Sequence, residues 1–259
     1  MRYEFAVGTS ATADIAIGTV GSMMALYKTY EFGWDIMGAG DVTRTRNILA
    51  TRFLKANEAP YLIYIDRDLV FKPTDVGRLL EGLRGGYDLI GGCYIIKSAP
   101  NLASSGNGQG NLVLDGTVQE VKYLASGFMG VTRTLLEKMV VELDLPVMHR
   151  GGDMEAYPFF EQMRHNDPDW GDMWLSEDYD FCAKARQVGV KSYLDTSIRL
   201  GHLGNALWRV DGSIESRHRR EISVEGKRAI SEILKKEALL ESERIEGEVG
   251  VSPLLSLLK

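Results

Sequence analysis

The chain has only two cysteines, Cys93 and Cys182, far apart and without a second pair. Their scarcity excludes a disulfide framework and a four-ligand zinc site, and it points to a reducing compartment. Long apolar runs are also missing, since no stretch reaches the about 18 residues that a membrane span needs. The opening Met1-Arg2-Tyr3-Glu4 carries charge where a signal peptide has its apolar segment, so a soluble, cytoplasmic protein is expected. Positive charge is short too. A net charge of −6 lacks the lysine and arginine surplus that neutralises phosphates in broad nucleic-acid binding, which makes a nucleic acid the less favoured acceptor. Arg209, Arg217, Arg219 and Arg220, flanking His218, form the one local exception. They suit either a polyanion or a solvated helix start.

What is present is the composition of an ordinary globular protein, 259 residues long with 44% hydrophobic and 25% charged residues. That length suffices to bury a core without staples. The first hundred residues alternate between short apolar strands and helices. Strands are expected at 3–8, 32–37, 61–65 and 87–95, and helices at 18–30, 42–56 and after Lys72-Pro73-Thr74 up to Gly85-Gly86. Alternation of this kind implies parallel strands joined by helical crossovers. Beyond residue 97 the pattern shifts to short antiparallel segments at 112–114 and 118–124, followed by a helix over 135–143.

Residues 146–174 show no periodicity, but Tyr157, Phe159, Phe160, Trp170 and Trp174 argue for an ordered aromatic surface, either an acceptor platform or core. A helix follows over 176–188 with Ser176 as N-cap and Gly189 as its stop, then short strands at 191–194 and 198–200. A charged amphipathic helix over 226–244 and the late Leu254, Leu255, Leu257 and Leu258 suit packing on the domain or on a second copy, a homo-oligomer.

The apolar strand at 61–65 ends in Asp66-Arg67-Asp68, with two carboxylates spaced to share one side of an extended chain. In doubly wound sheets ligands bind beyond the carboxyl ends of strands, where Asp66 stands. Hard cations such as Mn²⁺ or Mg²⁺ take oxygen ligands and share their sites with substrate phosphates and water, so one or two carboxylates suffice. An Asp-x-Asp alone is a weak signal. It gains weight from Trp174-Leu175-Ser176-Glu177-Asp178-Tyr179-Asp180, from Ala125-Ser126-Gly127-Phe128-Met129-Gly130 and from Leu200-Gly201-His202-Leu203-Gly204.

Together these segments resemble the family 2-like glycosyltransferases of the GT-A type, over roughly residues 1–205. The resemblance implies a Rossmann-like mixed, mainly parallel sheet flanked by helices. It also implies a catalytic domain over 1–212, and metal-dependent transfer of a sugar from a nucleotide diphosphate-sugar, a UDP-sugar first among them, to a hydroxyl acceptor with inversion; residues 213–259 match none of the family's motifs and are expected as a C-terminal helical extension. By the same resemblance Asp66, Asp68 and His202 are metal ligands, and Asp178 is the base with Glu177 beside it and Asp180 in reserve. Thr9, Arg44, Arg46, Asn47, Asp66, Lys97 and Gly127 face the donor, and Ser126 and Trp174 face the acceptor.

Plainer readings of the same residues stand alongside. Glu177 and Asp178 complement a helix dipole, His202 is a hydrogen-bonded structural histidine, Arg44 and Arg46 are helix-surface charge, and Gly127 marks a strand bulge. Nucleotidyl transfer to a sugar phosphate and a non-catalytic carbohydrate- or nucleotide-binding module are the alternative functions.

Overall fold

The computed structural model describes residues 3–11, 14–56, 58–97, 99–106, 111–150, 154–167, 171–204, 207–209 and 214–215. The chain divides into two units, Met1–His218 and Arg219–Lys259. Arg217, His218, Arg219, Arg220, Trp170, the helix expected over 226–244 and the apolar tail all lie outside the described residues.

Seven strands form the central sheet: β1 (Phe5–Ser10), β2 (Gly33–Met37), β3 (Tyr61–Ile65), β4 (Leu89–Cys93), β5 (Val118–Val121), β6 (Phe128–Thr132) and β7 (Ser192–Arg199). Their spatial order is β2-β1-β3-β6-β4-β7-β5. The β1 strand pairs in parallel with β2 and β3, and β7 with β4, while β6 runs antiparallel between β3 and β4 and β5 antiparallel on β7. Most strands therefore point one way, and their carboxyl ends share one edge. Helices α1 (Ile17–Tyr27), α2 (Val42–Ala56), α3 (Pro73–Arg84), α4 (Arg133–Glu142) and α5 (Glu177–Gln187) cover the sheet. This is the mixed, mainly parallel α/β architecture expected from the sequence.

Alternation along the strands divides the core between the two faces. Ala6, Leu62, Tyr64 and Leu89 turn to one side, where they meet Leu49 and Phe53 of α2, Leu136 and Met139 of α4 and Phe181 of α5. Phe5, Val7, Ile63, Ile65 and Ile90 turn to the other, against Met23 and Leu26 of α1 and Leu79, Leu80 and Leu83 of α3. The α3 helix begins as its sequence predicts. Pro73 occupies the first turn, and Asp75 accepts the backbone N–H of Lys72 at 2.7 Å.

Two expectations change. The strands expected at 191–194 and 198–200 are one strand with a register shift between Asp195 and Arg199. The aperiodic stretch 146–174 holds two antiparallel pairs, Met148–Arg150 with Met154–Ala156 and Met163–Asp167 with Gly171–Leu175. Phe159 and Phe160 are core: Phe160 stacks on Phe181 with ring centroids 4.6 Å apart and meets Tyr64 edge-on at 5.5 Å. Asn47 fixes that segment, its side chain accepting from the Phe160 N–H and donating to the Phe160 carbonyl, both at 2.8 Å.

Candidate active site

The carboxyl end of β3 is where the segments singled out by sequence meet. In the β3–β6 ladder Ile65 lies opposite Phe128, so the next residue on each strand is also paired, and the Asp66 N–H donates to the Gly127 carbonyl at 2.8 Å. A Cβ on Gly127 would stand 2.4 Å from the Tyr94 hydroxyl and 2.8 Å from Asp66 Oδ2. Glycine is therefore required for the Asp66 carboxylate and the Tyr94 ring to close over this backbone. The Gly127 N–H donates to the Tyr94 hydroxyl at 2.9 Å.

A turn carries the chain from Asp66 to the short strand Leu69–Val70, which pairs antiparallel with Gly201–Leu203. That ribbon sets His202 opposite Leu69, and the Leu203 N–H donates to the Asp68 carbonyl at 2.8 Å. His202 Nε2 thus comes to 3.4 Å from Asp68 Oδ1, across more than a hundred residues of chain. Its other ring nitrogen, Nδ1, lies 2.7 Å from the Ile95 carbonyl, which only accepts, so Nδ1 carries the hydrogen and Nε2 faces the carboxylate. Tyr94 backs the imidazole edge-on at 5.3 Å.

Lys97 bonds the second oxygen of Asp68. Burial opposes ionisation of Asp68, but hydrogen bonds from His202 and Lys97 outweigh it and hold the carboxyl down to about 2.

The acidic helix arrives from the other side. Ser176 is the N-cap of α5 as expected, but its hydroxyl donates to Asp178 and accepts no helix N–H. Asp178 also accepts the Tyr179 N–H at 3.0 Å. Glu177 is tied down by Arg46 of α2, whose Nη1 donates to Oε1 at 2.6 Å, while Nη2 reaches both oxygens of Asp66 at 2.9 and 3.1 Å. Burial works against the Arg46 charge, and Asp66, Glu177 and Asp178 outweigh it, so the guanidinium is a firmly held cation. Arg46 is 4% exposed. It joins the strand end to the acidic helix from beneath the site.

Among the sequence-derived residues the structure therefore brings together Asp66, Asp68, His202, Lys97, Gly127, Glu177 and Arg46, with the field of Asp178 felt at both Arg46 and Tyr94. The metal set Asp66, Asp68 and His202 is not assembled as three converging ligands. Among the described residues no group of three His, Cys, Asp or Glu side chains is placed to hold an ion. Asp66 is turned to Arg46, which leaves Asp68 and His202 as a two-residue corner.

Other residues are placed differently. Thr9 lies inside β1, fully buried, and its hydroxyl accepts from the Trp34 indole at 2.9 Å. Asn47 is spent on Phe160. Arg44 is exposed, beside Asp41 at 3.9 Å, on the rim of a cavity of about 350 Å³ that Tyr157, Pro158 and Glu161 also line. Ser126 is fully buried, its hydroxyl without a partner among the described residues. Asp180 faces Lys184 at 2.8 Å and accepts the Glu161 N–H at 3.0 Å, which makes it a core anchor rather than a second base. Trp174 is 77% exposed on Gly171–Leu175, three residues before Glu177. Tyr94 is central to the geometry, through its hydroxyl at the Gly127 N–H and its ring against His202. Its spacing from Gly127 carries no local signal.

No protein-family model matches the chain, and no curated protein matches it either. Among solved structures, A197 from STIV superimposes with a TM-score of 0.53 at 16% identity, covering 85% of this chain and 97% of that one. At that level the two share a fold. GalNAc-T7 with UDP, GalNAc and Mn²⁺ gives 0.45 at 11% identity over 82% of this chain and 45% of that one. The synthetase of CMP:2-keto-3-deoxy-manno-octonic acid with CTP gives 0.36 at 14% over 56% and 79%.

Proposed function

We propose that this chain is a GT-A type glycosyltransferase that moves a sugar from a nucleoside diphosphate-sugar, foremost a UDP-sugar, to a hydroxyl acceptor, with a divalent cation and inversion at the sugar. The observation that carries the reading is the convergence at one strand end of Asp66, the Asp68–His202 corner, Gly127 and the acidic start of α5. Fold alone would not support it.

Asp68 and His202, an oxygen and an imidazole donor 3.4 Å apart, are the residues that would hold a Mn²⁺ or Mg²⁺ ion shared with the donor's phosphates. When bound, the ion would offset the charge that develops on the departing diphosphate. Arg46 holds Asp66 and Glu177 in place at the floor. Gly127, with no side chain, lets the Tyr94 ring and the Asp66 carboxylate close over the strand end. Asp178 takes the acceptor proton as the acceptor oxygen forms its bond to the anomeric carbon and the carbon–oxygen bond to the diphosphate breaks, releasing nucleoside diphosphate. Trp174 offers an exposed indole for a sugar or other planar acceptor at the rim.

The kinetic split between two variants tests this. Asp178→Asn should lower kcat about 10²-fold or more with donor KM little changed, because the base acts only in the transition state. Asp68→Ala should weaken metal-dependent donor binding. Unchanged turnover of every accepted donor by both variants would sink the mechanism, and release of pyrophosphate in place of nucleoside diphosphate would favour nucleotidyl transfer.

A further inference from the structure

The Asp68–His202 corner already has a cation on it. Lys97, on the turn that follows Ile95–Ile96, bonds Asp68 Oδ2, while Oδ1 is faced by His202 Nε2. The Nδ1 hydrogen of His202 is committed to the Ile95 carbonyl, and Nε2 stands 3.4 Å from the carboxylate oxygen. A carboxylate held this far from solvent requires positive charge near it, and Lys97 supplies it at the opposite oxygen. Asp68 is only 20% exposed and His202 15%, so solvent screening is a poor substitute. The surrounding charge is acidic: Asp66, Glu177 and Asp178 stand against Arg46, whose donors are already divided between Asp66 and Glu177. The same carboxylate cannot hold the lysine ammonium and a divalent ion at once without placing like charges in contact.

We propose that Lys97 is the resting counter-ion of this corner and is exchanged for the divalent cation that arrives with a nucleoside diphosphate, so that cation and diphosphate bind cooperatively. The inference rests on the proposed metal-dependent reading of the site. Once released from Asp68, the ammonium remains on a turn beside the site and is matched in charge to the diphosphate. Diphosphate thus favours the state in which Lys97 has left Asp68, and so does the cation. Each ligand then raises the affinity of the other by the same factor.

Titrating the full-length protein with Mn²⁺, with free Mn²⁺ read by electron paramagnetic resonance and with UDP absent or saturating, tests the exchange. Wild type should bind Mn²⁺ weakly alone and about tenfold or more tightly with UDP. Lys97→Gln should bind Mn²⁺ alone about tenfold more tightly than wild type and lose most of the gain from UDP, whereas Lys97→Arg, which keeps the charge, should stay close to wild type. Asp68→Ala should abolish the site in every background. Lys97→Gln binding Mn²⁺ alone no better than wild type, while wild type still responds to UDP, overturns the exchange and leaves the metal reading standing. No Mn²⁺ binding by wild type even with UDP overturns both.

Discussion

At the scale of single residues, Arg46 shows why a sequence can name a site and still misplace its members. The sequence reading sets Arg46 on the donor, and Asp66 on both donor and metal. The structure commits them to each other and to Glu177, through contacts spanning 20 and 131 positions of chain. No local pattern encodes a pairing at that separation, and only the packing of α2 against the sheet and α5 creates it. Arg46→Met should cost about 3–5 kcal/mol in urea unfolding, because two carboxylates are left facing each other with their countercharge removed. Arg46→Lys should recover only part of that loss, since one ammonium cannot match a guanidinium bridging two carboxylates.

Asp68 gives a pH signature. Its folded-state value, about 2, is below the ordinary 3.8, so the stabilisation from its ion pairs is complete above about pH 4 and is lost as pH falls toward 2. Acid unfolding of Asp68→Asn should lack that component, and a titration identical to wild type would count against the pairing. The thiols make a simpler case. Burial pushes Cys93 up to about 12 and Cys182 up to about 11, so neither should react with iodoacetamide at pH 8 until the protein is denatured.

At the scale of elements, β3 and α2 were legible to the residue, because an isolated apolar run and a long helical period leave one reading each. The β6 strand was not. Phe128-Met129-Gly130-Val131-Thr132 is buried on both faces, so it has no alternation to read, and in the sequence it stands out as a glycine-bearing motif with a strand bulge at Gly127 as its plainer reading. Yet β6 sets Gly127 against Asp66, and without it the strand end has no floor. The resemblance groups His202 with Asp66 and Asp68 as a metal ligand; the structure places it beside Asp68, through a ribbon of Leu69–Val70 on Gly201–Leu203 too short to foresee.

The segment around Phe160 was read as either rim or core, and burial decides for core. Asn47→Ala strands the Phe160 N–H and carbonyl without partners and should cost about 2 kcal/mol or more. Phe160→Ala should cost about 3–5 kcal/mol, and both are measurable as midpoint shifts in urea.

At the scale of the whole molecule, the mainly parallel sheet brings the ends of β1, β3, β4 and β7 to one edge, and two departures from parallel order, β6 and the Leu69–Val70 ribbon, furnish that edge with Gly127 and His202. The general layout followed from alternating strands and helices. The site's geometry depends on pairings the alternation does not encode.

The most direct test of the central claim is a donor screen. Purified protein would be incubated with a panel of nucleoside diphosphate-sugars and either Mn²⁺, Mg²⁺ or EDTA, and the released nucleotide identified. Release of nucleoside diphosphate from at least one donor, dependent on the metal and abolished in Asp68→Ala, is the expected result. Turnover that persists in EDTA and in Asp68→Ala, or no turnover of any donor with either metal, would contradict it.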